Sequence, residues 1–561
     1  MFSFFQRATF STTLAALLLS TSFASALPSH DTTTDSGKLG PSKDAARQNG
    51  FQIFNAVHSA MRQWGSSLHH NGMSLFVATV PAGVTFYHGT HSPTPPAGPE
   101  WLAFDIEHAE GFARTWDRPP PALSEEDTAM MQFREHDMDA QIRLRTPDEP
   151  TMPKNESDDP VPFYGYLHIY QTTKPLRLLY IDGMSAGKTL MGTLDTQDLL
   201  LRGSRSEHPY NDFVRADQLC ELVTSWGLQG VIRMECGFEI IKCDFTDSMD
   251  LVSANRRPNL SDPGFQGYRE VSLLEFIRAL SQRYNGIGGG RVAVDYSSMV
   301  SALFYPVNLT NPDPSRSELP RLVGVADEQL QAIRSRLAEV VPSRLDATHS
   351  VVDWQGVADM IVARYADKLR HLAGNVSHSV MQGGLNSILN IYIDYSQEDK
   401  NLVGAIDRCT KHYISAVTPH TQEDHLILAG IESVMTSICS ALFNARKIVI
   451  ENTDADDDAF ATASAILQRL VDDLRWAKWK ECGPCAYDEV CLVAMWPYGD
   501  KMSHYQPSCR NNVSLRYEEK DHYWKDPDYP RGPGGGRHPP PPGEGLPGKR
   551  PPPEGDGPDD L

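Results

Sequence analysis

Basic residues are scarce in this chain relative to acidic ones. Its 561 residues include 51 Lys and Arg against 72 Asp and Glu, and the formal net charge is -21 at pH 7. Proteins that bind nucleic-acid backbones concentrate Lys and Arg, so this charge balance argues against a nucleic-acid partner. We expect the acidity to serve solubility.

Long hydrophobic runs are also lacking. The most apolar stretch, 426–443, contains Glu432 and Thr436, so we expect a buried core helix rather than a membrane span. At the N-terminus, Arg7 precedes a short apolar run, and small residues follow at 24–26. This pattern predicts a secretory signal peptide over 1–26. We therefore expect a secreted, extracellular protein without a stable membrane anchor.

Three familiar ligand-binding motifs are incomplete. The segment 183–189 resembles a P-loop but has three residues between its glycines instead of four. The glycine run 286–290 lacks the strand and helix context of a dinucleotide fingerprint. The aspartates of 454–458 lack the Gly and the final Glu of an EF-hand. No metal site is predicted.

Cysteine is sparse but informative. An odd number of cysteines in an oxidising compartment predicts disulfides and at least one thiol outside them. The Cys482–Cys485 pair has thioredoxin-type spacing but follows a helical segment, so we expect structural disulfides among Cys482, Cys485, Cys491 and Cys509. A zinc site would need a second CxxC pair. The nine cysteines are Cys220, Cys236, Cys243, Cys409, Cys439, Cys482, Cys485, Cys491 and Cys509.

Glycosylation sequons fit the same compartment. Each begins an Asn-x-Ser/Thr triplet, which predicts a glycoprotein if the chain is secreted. The five are Asn155, Asn259, Asn308, Asn375 and Asn512.

Hydrophobic periodicity predicts an α+β protein. A mixed-sheet N-terminal domain precedes an α-helical domain and a disordered, Pro/Gly-rich tail. The predicted boundaries are a flexible leader at 27–42, an α/β domain at 43–310 with an insertion loop at 117–160, a helical domain at 318–480, a Cys-rich segment at 481–524 and the tail at 525–561.

Local patterns predict individual elements. Apolar spacings of three and four indicate helices, and runs of β-forming residues indicate strands. Predicted helices cover 44–69, 213–226 and 271–284, and predicted strands cover 73–80, 84–87, 163–171, 176–181, 231–234 and 238–245.

The segment 80–116 is the best candidate for an active site. A short apolar strand ends at Tyr87 and is followed by His88, Gly89 and Thr90. A Pro/Gly loop then leads to an aromatic segment that begins at Trp101. A polar group, a permissive glycine and clustered aromatics thus converge on one strand end.

This order resembles the ADP-ribosyltransferase fold, in the branch that uses a His, Tyr and Glu triad, such as poly-ADP-ribose polymerases. The strand ending in His88-Gly89-Thr90 matches the first motif of that family. The segment from Trp101 through Phe104 to Phe112 resembles the second, although its stacking tyrosine is not evident. The third motif, a Glu that opens a strand, is matched by Glu239, with Phe238 where a polar residue often stands.

The resemblance implies an NAD-dependent ADP-ribosyltransferase. His88 would bond the adenosine ribose of NAD, and the Gly89 backbone would meet the nicotinamide amide. Glu239 would hold the nicotinamide ribose and stabilise the positive charge of the transition state, so Glu239→Gln would slow turnover and leave the fold intact. The remaining cofactor-binding positions would be Tyr87, Thr90, Phe104 and Phe112.

Two other functions stay open. Gly183-Met-Ser185-Ala-Gly187 follows an apolar strand and matches the G-x-S-x-G elbow of serine hydrolases. Its acid and histidine are not fixed by spacing; candidates are Asp217 or Asp244 with His420 or His425. The third possibility is a non-catalytic secreted binding or structural protein, whose partner is an unknown protein or small molecule.

Overall fold

The chain is described here from a computed structural model. The structure describes residues 39–115, 163–203, 212–259, 273–281, 286–288, 290–345, 352–396, 402–451, 457–517 and 523–524. The predicted signal peptide, insertion loop and tail lie outside these residues, as does the sequon at Asn155.

The fold is α+β, as predicted, with nine strands in one mixed sheet and a small hairpin near the C-terminus. The sheet strands are β1 (Ser74–Val80), β2 (Thr85–Thr90), β3 (Glu100–Ala103), β4 (Tyr166–Thr172), β5 (Leu176–Ile181), β6 (Gly230–Glu235), β7 (Gly237–Lys242), β8 (Met249–Arg256) and β9 (Ala293–Ser301), and the hairpin strands are β10 (Glu489–Leu492) and β11 (Ser508–Asn511).

Among the described residues, six α-helices precede β9 and eight follow it. They are α1 (Lys43–Gln48), α2 (Gly50–Ser59), α3 (Gln63–Leu68), α4 (Ile106–Glu110), α5 (Asp212–Ser225), α6 (Leu273–Ser281), α7 (Asp327–Leu345), α8 (Trp354–Ala373), α9 (His378–Leu389), α10 (Leu402–Lys411), α11 (Gln422–Glu451), α12 (Asp457–Leu474), α13 (Lys501–Tyr505) and α14 (Asn512–Tyr517).

The strand order in the sheet is β8-β4-β2-β3-β7-β6-β5-β1-β9. All neighbours are antiparallel except β5 and β6. A parallel pair needs a long crossover connection, and here it contains a π-helical turn, Thr196–Leu201, and α5. Every residue of β6 and β7 is buried, so these two strands lie in the core.

The predicted helix over 44–69 is divided into α1, α2 and α3. Ala60 has extended backbone, and Met61 takes a φ of 55°. The Met61 N–H donates to the Tyr180 hydroxyl at 3.0 Å. This tertiary contact holds a backbone turn that apolar spacing cannot reveal.

The N-terminal helices pack on the C-terminal half of the chain. Helices α1 and α2 contact α11, and α2 also contacts α8. The Asn55 side-chain amide donates to the Leu474 carbonyl at 3.0 Å. Among the described helices, α11 is long and apolar enough to cross a membrane, but 61% of its most apolar window is buried inside the protein, as in a core helix.

Four disulfides brace the described chain. Two of them join the four cysteines of the Cys-rich segment, which confirms the prediction of bridges within that set. The free cysteine is Cys236, and it is buried. The bonded pairs are Cys220–Cys243, Cys409–Cys439, Cys482–Cys491 and Cys485–Cys509.

Candidate functional site

The two predicted catalytic residues lie on opposite faces of the sheet. Tyr87 pairs with Ala103, and Ala103 pairs with Glu239, so these three side chains share one face. His88 follows Tyr87 along β2 and therefore faces the other side. The transferase hypothesis requires His88 and Glu239 to line one cleft, and the structure does not bring them together.

The surroundings of His88 are those of a core residue. Its side chain is buried, and Nδ1 lies 2.8 Å from the Trp101 carbonyl oxygen, to which it can donate. The ring packs against His168 and Phe245, with centroids 5.8 and 5.5 Å away. Backbone and aromatic rings thus occupy the space that the adenosine ribose would need.

Gly89 is required by packing against α4. A Cβ at this position would overlap the Ala109 carbonyl oxygen and lie 2.8 Å from the backbone carbon of Phe112. The glycine therefore permits a close approach of helix to strand. At the strand end, the Thr90 hydroxyl accepts a bond from the Ser92 N–H at 3.3 Å.

The predicted aromatic contacts of the cofactor are core contacts as well. Phe104 is buried, and its ring meets Phe86 edge to face at 5.0 Å. Phe112 is buried with its ring centroid 5.7 Å from that of His108.

Glu239 belongs to a buried set of ion pairs, which we call the charged network. Among the described residues, four carboxylates and four cationic side chains form it, so their formal charges balance. Its members are Lys188, Asp198, Arg202, Asp212, Arg215, Arg233, Glu235 and Glu239.

Arg233 lies at the centre of the charged network. Its Nε donates to Glu239 at 2.8 Å, and its Nη2 donates to Asp212 at 2.5 Å. Burial opposes the charge on Arg233, but Asp212 and Glu239 outweigh it and hold the pKa of the guanidinium above its usual range. Burial likewise opposes the charge on Asp212, whose pKa falls well below the usual value because Arg233 and Lys188 are near.

His108, Glu235 and Glu239 bring three potential metal-ligand atoms within 4.8 Å of one another. However, Lys188 donates to Glu235 at 2.9 Å, and Arg233 already holds Glu239. A divalent ion would add charge to a network that is balanced without it. These side chains are better explained as structural ion pairs.

The sequence contains a signal for this network that is not a local motif. Arg233 and Glu235 alternate with apolar residues in β6, and Glu239 does so in β7. Alternation places such residues on one face of a strand. Because both strands are fully buried, the charges required partners.

Ser185 does not have the geometry of a hydrolase nucleophile. It follows a tight turn, in which Gly183 has a φ of 67°. Its hydroxyl is buried and donates to the Ile181 carbonyl at 3.1 Å. No described histidine is hydrogen-bonded to Ser185, and the candidate acid Asp244 accepts from Thr246 instead.

A different region has the shape of a binding site. A cavity of about 200 Å³, which we call the chamber, lies between α2, the Asp182–Gly183 turn and the end of α12. Its wall combines apolar surface with many polar side chains. They include Gln52, Asn55, Ser59, Ser66, His69, Asn71, Asp182, Glu318, Asp473 and Arg475.

A second cavity of about 560 Å³, which we call the groove, adjoins the chamber. Aromatic and cationic side chains are prominent in its wall. They include Arg370, Arg475, Trp476, Trp479, Lys480, His504 and Tyr505. Trp476 and Trp479 are stacked with centroids 5.0 Å apart.

Three residues line both cavities and so form their common wall: His69, Glu318 and Arg475. His69 Nε2 lies 3.1 Å from the Arg475 carbonyl oxygen. Arg475 has a φ of 48°, a conformation that non-glycine residues seldom adopt. Burial lowers the pKa of His69 to about 4, so its ring is neutral at pH 7. We refer to chamber and groove together as the cleft.

Four buried polar atoms on the walls of the cleft have no hydrogen-bond partner within the described ranges. They are Asn55 Oδ1 and Ser59 Oγ in the chamber, and Trp476 Nε1 and His504 Nδ1 in the groove. Nearly all buried polar groups in folded proteins are bonded. The cleft therefore has both donors and acceptors just beneath its wall, which small side-chain movements would present to a polar occupant.

The pKa of Asp182 is changed by its position in the chamber wall. Burial raises the pKa of Asp182 to about 7 from 3.8, although hydrogen bonds from Ser74 oppose the rise. Because the folded pKa lies above the unfolded one, the contribution of Asp182 to stability is complete below the unfolded pKa and is lost as the pH rises through the folded pKa.

We therefore expect Asp182→Asn to become more stable relative to the wild type as the pH rises from about 5 to about 8, by on the order of 2 kcal/mol. The amide keeps an acceptor for the Ser74 N–H, which now bonds Asp182 at 2.8 Å. Urea denaturation of both proteins across this pH range measures the difference. A difference that does not change with pH would show that Asp182 does not titrate there.

Comparisons with known proteins cover most of the chain. Residues 43–263 match the family described as the YPL277C N-terminal domain. The chain is 25% identical over 540 residues to the uncharacterized protein YOR389W of Saccharomyces cerevisiae, covering 81% of this chain and 82% of that one. It is 26% identical over 407 residues to the uncharacterized protein YPL277C of the same organism, covering 62% and 79%. No solved structure matches.

Proposed function

We propose that the chain is a secreted, glycosylated binding protein that holds a saccharide in the cleft. The observation that carries this proposal is the set of four buried polar atoms without partners on the walls of adjoining cavities. A saccharide presents many hydroxyl groups, each of which both donates and accepts, and so matches a mixed set of unpaired donors and acceptors.

The size and composition of the cleft support the same ligand class. Small-molecule sites range over roughly 300–1,000 Å³ and combine apolar surface with a few placed polar groups. The groove provides the apolar part through Trp479 and Tyr505, both partly buried, and the chamber provides the polar part. Aromatic faces pack well against the C–H side of a sugar ring.

Secretion is supported by the disulfides, which persist in oxidising compartments. Two sequons, Asn308 and Asn375, are exposed and could carry a glycan on the folded protein, whereas Asn259 is buried. The two catalytic hypotheses have less support. Neither His88 with Glu239 nor Ser185 with a described histidine forms a common site.

The test is saturation-transfer NMR of the purified full-length protein with glucose, mannose, galactose and their C6 acids. We expect saturable binding of at least one of these sugars. Gln52→Trp should abolish it, because Gln52 is exposed at the chamber and an indole there would fill it.

Gln48→Trp is the matched control. Gln48 is equally exposed but lies on α1, outside the chamber wall, so this variant should bind like the wild type. If none of the sugars binds, or if Gln52→Trp binds as well as Gln48→Trp, the proposed function is wrong.

A further inference from the structure

Three cationic side chains of the groove have no carboxylate partner among the described residues. Each hydrogen-bonds a backbone carbonyl instead. Arg370 Nη1 donates to the Trp479 carbonyl, Lys480 Nζ to the Tyr505 carbonyl at 2.5 Å, and Arg475 Nε to that of Asp472 at 3.3 Å.

These three cations are exposed, whereas two partly buried cations elsewhere in the chain have carboxylate partners. Arg62 bonds both oxygens of Asp359 at 2.7 Å. Arg344 likewise bonds both oxygens of Asp295, at 2.6 and 3.1 Å. Acidic residues outnumber basic ones, 72 to 51. The groove thus presents adjacent cations whose charge no described carboxylate neutralises and which a bound anion can contact.

Arg370 and Lys480 are also close enough to affect each other. Burial lowers the pKa of Lys480, and the charge of Arg370 lowers it further. Two like charges held near each other at a cavity wall favour a bound anion, because it offsets both their repulsion and their desolvation.

We infer that the groove binds the acid group of an anionic saccharide, a carboxylate or a phosphate, between Arg370 and Lys480. This inference rests on the proposed function and names the ligand class for the same cleft. A guanidinium can hold either group through two parallel N–H bonds, and an ammonium adds a point charge. The partly buried face of Trp479, next to Lys480, packs against the sugar ring.

The chamber determines the orientation of such a ligand. Three carboxyl groups line it, those of Asp182, Glu318 and Asp473, and the groove is lined by Glu318 and Asp472 as well. They repel an anion when ionised, and they accept hydrogen bonds from hydroxyl groups. Arg370 and Lys480 line the groove and not the chamber, so the acid group stays in the groove and the neutral end of the saccharide enters the chamber.

The experiment compares three probes that share one ring: glucose, glucuronate and glucose 6-phosphate. They differ at C6, which carries a hydroxyl, a carboxylate or a phosphate. Saturation-transfer NMR titrations at low salt should show at least one acid binding about tenfold more tightly than glucose. That advantage should shrink as the salt concentration rises. The tighter of the two acids identifies the group that the groove prefers.

Arg370→Gln and Lys480→Met should each reduce the ratio of the affinity for the preferred acid to the affinity for glucose by about tenfold. Lys447→Met is the matched control, since Lys447 is an exposed cation on α11 outside both cavities. The unfolding temperature of each variant confirms that it is folded.

The outcomes separate the two proposals. If glucose binds as tightly as both acids, and the two groove variants leave all affinities unchanged, the inference about the anion is wrong and the saccharide-binding proposal stands. If the acids bind more tightly but Lys447→Met weakens them as much as Lys480→Met, the groove is not their site. If none of the three probes binds and the wider sugar panel also fails, both proposals are overturned.

Discussion

Replacing Glu239 by Gln is expected to lower the free energy of unfolding by about 3 kcal/mol, because it removes one charge from a buried, balanced set of ion pairs. Glu239 is 1% exposed and accepts from Arg233 at 2.8 Å. Gln keeps the shape and one acceptor but leaves the network with an uncompensated positive charge. The transferase hypothesis predicts the opposite, namely an intact fold with slower turnover.

Urea denaturation at neutral pH measures this loss. Glu481→Gln provides the control, because Glu481 pairs with Lys478 at 2.6 Å near the surface, where a single ion pair contributes less than about 1 kcal/mol. Equal stability of Glu239→Gln and the wild type would show that the charged network does not stabilise the fold.

Gly89→Ala is expected to destabilise the protein by about 3 kcal/mol or more, because the new methyl group overlaps the backbone of α4. The Ala109 carbonyl and the Phe112 backbone would both have to move. Backbone atoms of a packed helix cannot rotate away as a flexible side chain can. Thermal unfolding should therefore show a large decrease in Tm.

Gly98→Ala is the appropriate comparison. A Cβ at Gly98 would meet no atom within 4 Å, so the substitution should be neutral or slightly stabilising. If both alanine variants unfold at the wild-type temperature, α4 does not pack against β2 as described.

Elements with strong local patterns were predictable from the sequence. The strands β1, β2 and β5 and the helix α5 lie where alternation or helical spacing predicted them. Strand β9 was missed because Ala293–Ser301 contains several serines and an aspartate. Its pairing with β1, rather than its composition, makes it a strand.

The predicted site and the cleft also differ in whether a local sequence pattern marks them. The segment around His88 resembles a site because its residues are neighbours in sequence, yet alternation along β2 places their side chains on opposite faces of the sheet. The cleft has no local motif, since Asn55, Asp182, Glu318 and Arg475 come from four distant parts of the chain. Burial and unpaired polar atoms, which identify it, exist only in the folded protein.

The contact between α2 and the end of α12 has a consequence for protein synthesis. The Asn55 amide meets the Leu474 carbonyl 419 residues later in the chain. Chains are made from the N-terminus, and contacts between distant residues form late. During translation, the apolar face of α2 therefore stays exposed until most of the protein has emerged from the ribosome. The cleft is therefore among the last features to form, and a truncation before α12 would remove one of its walls.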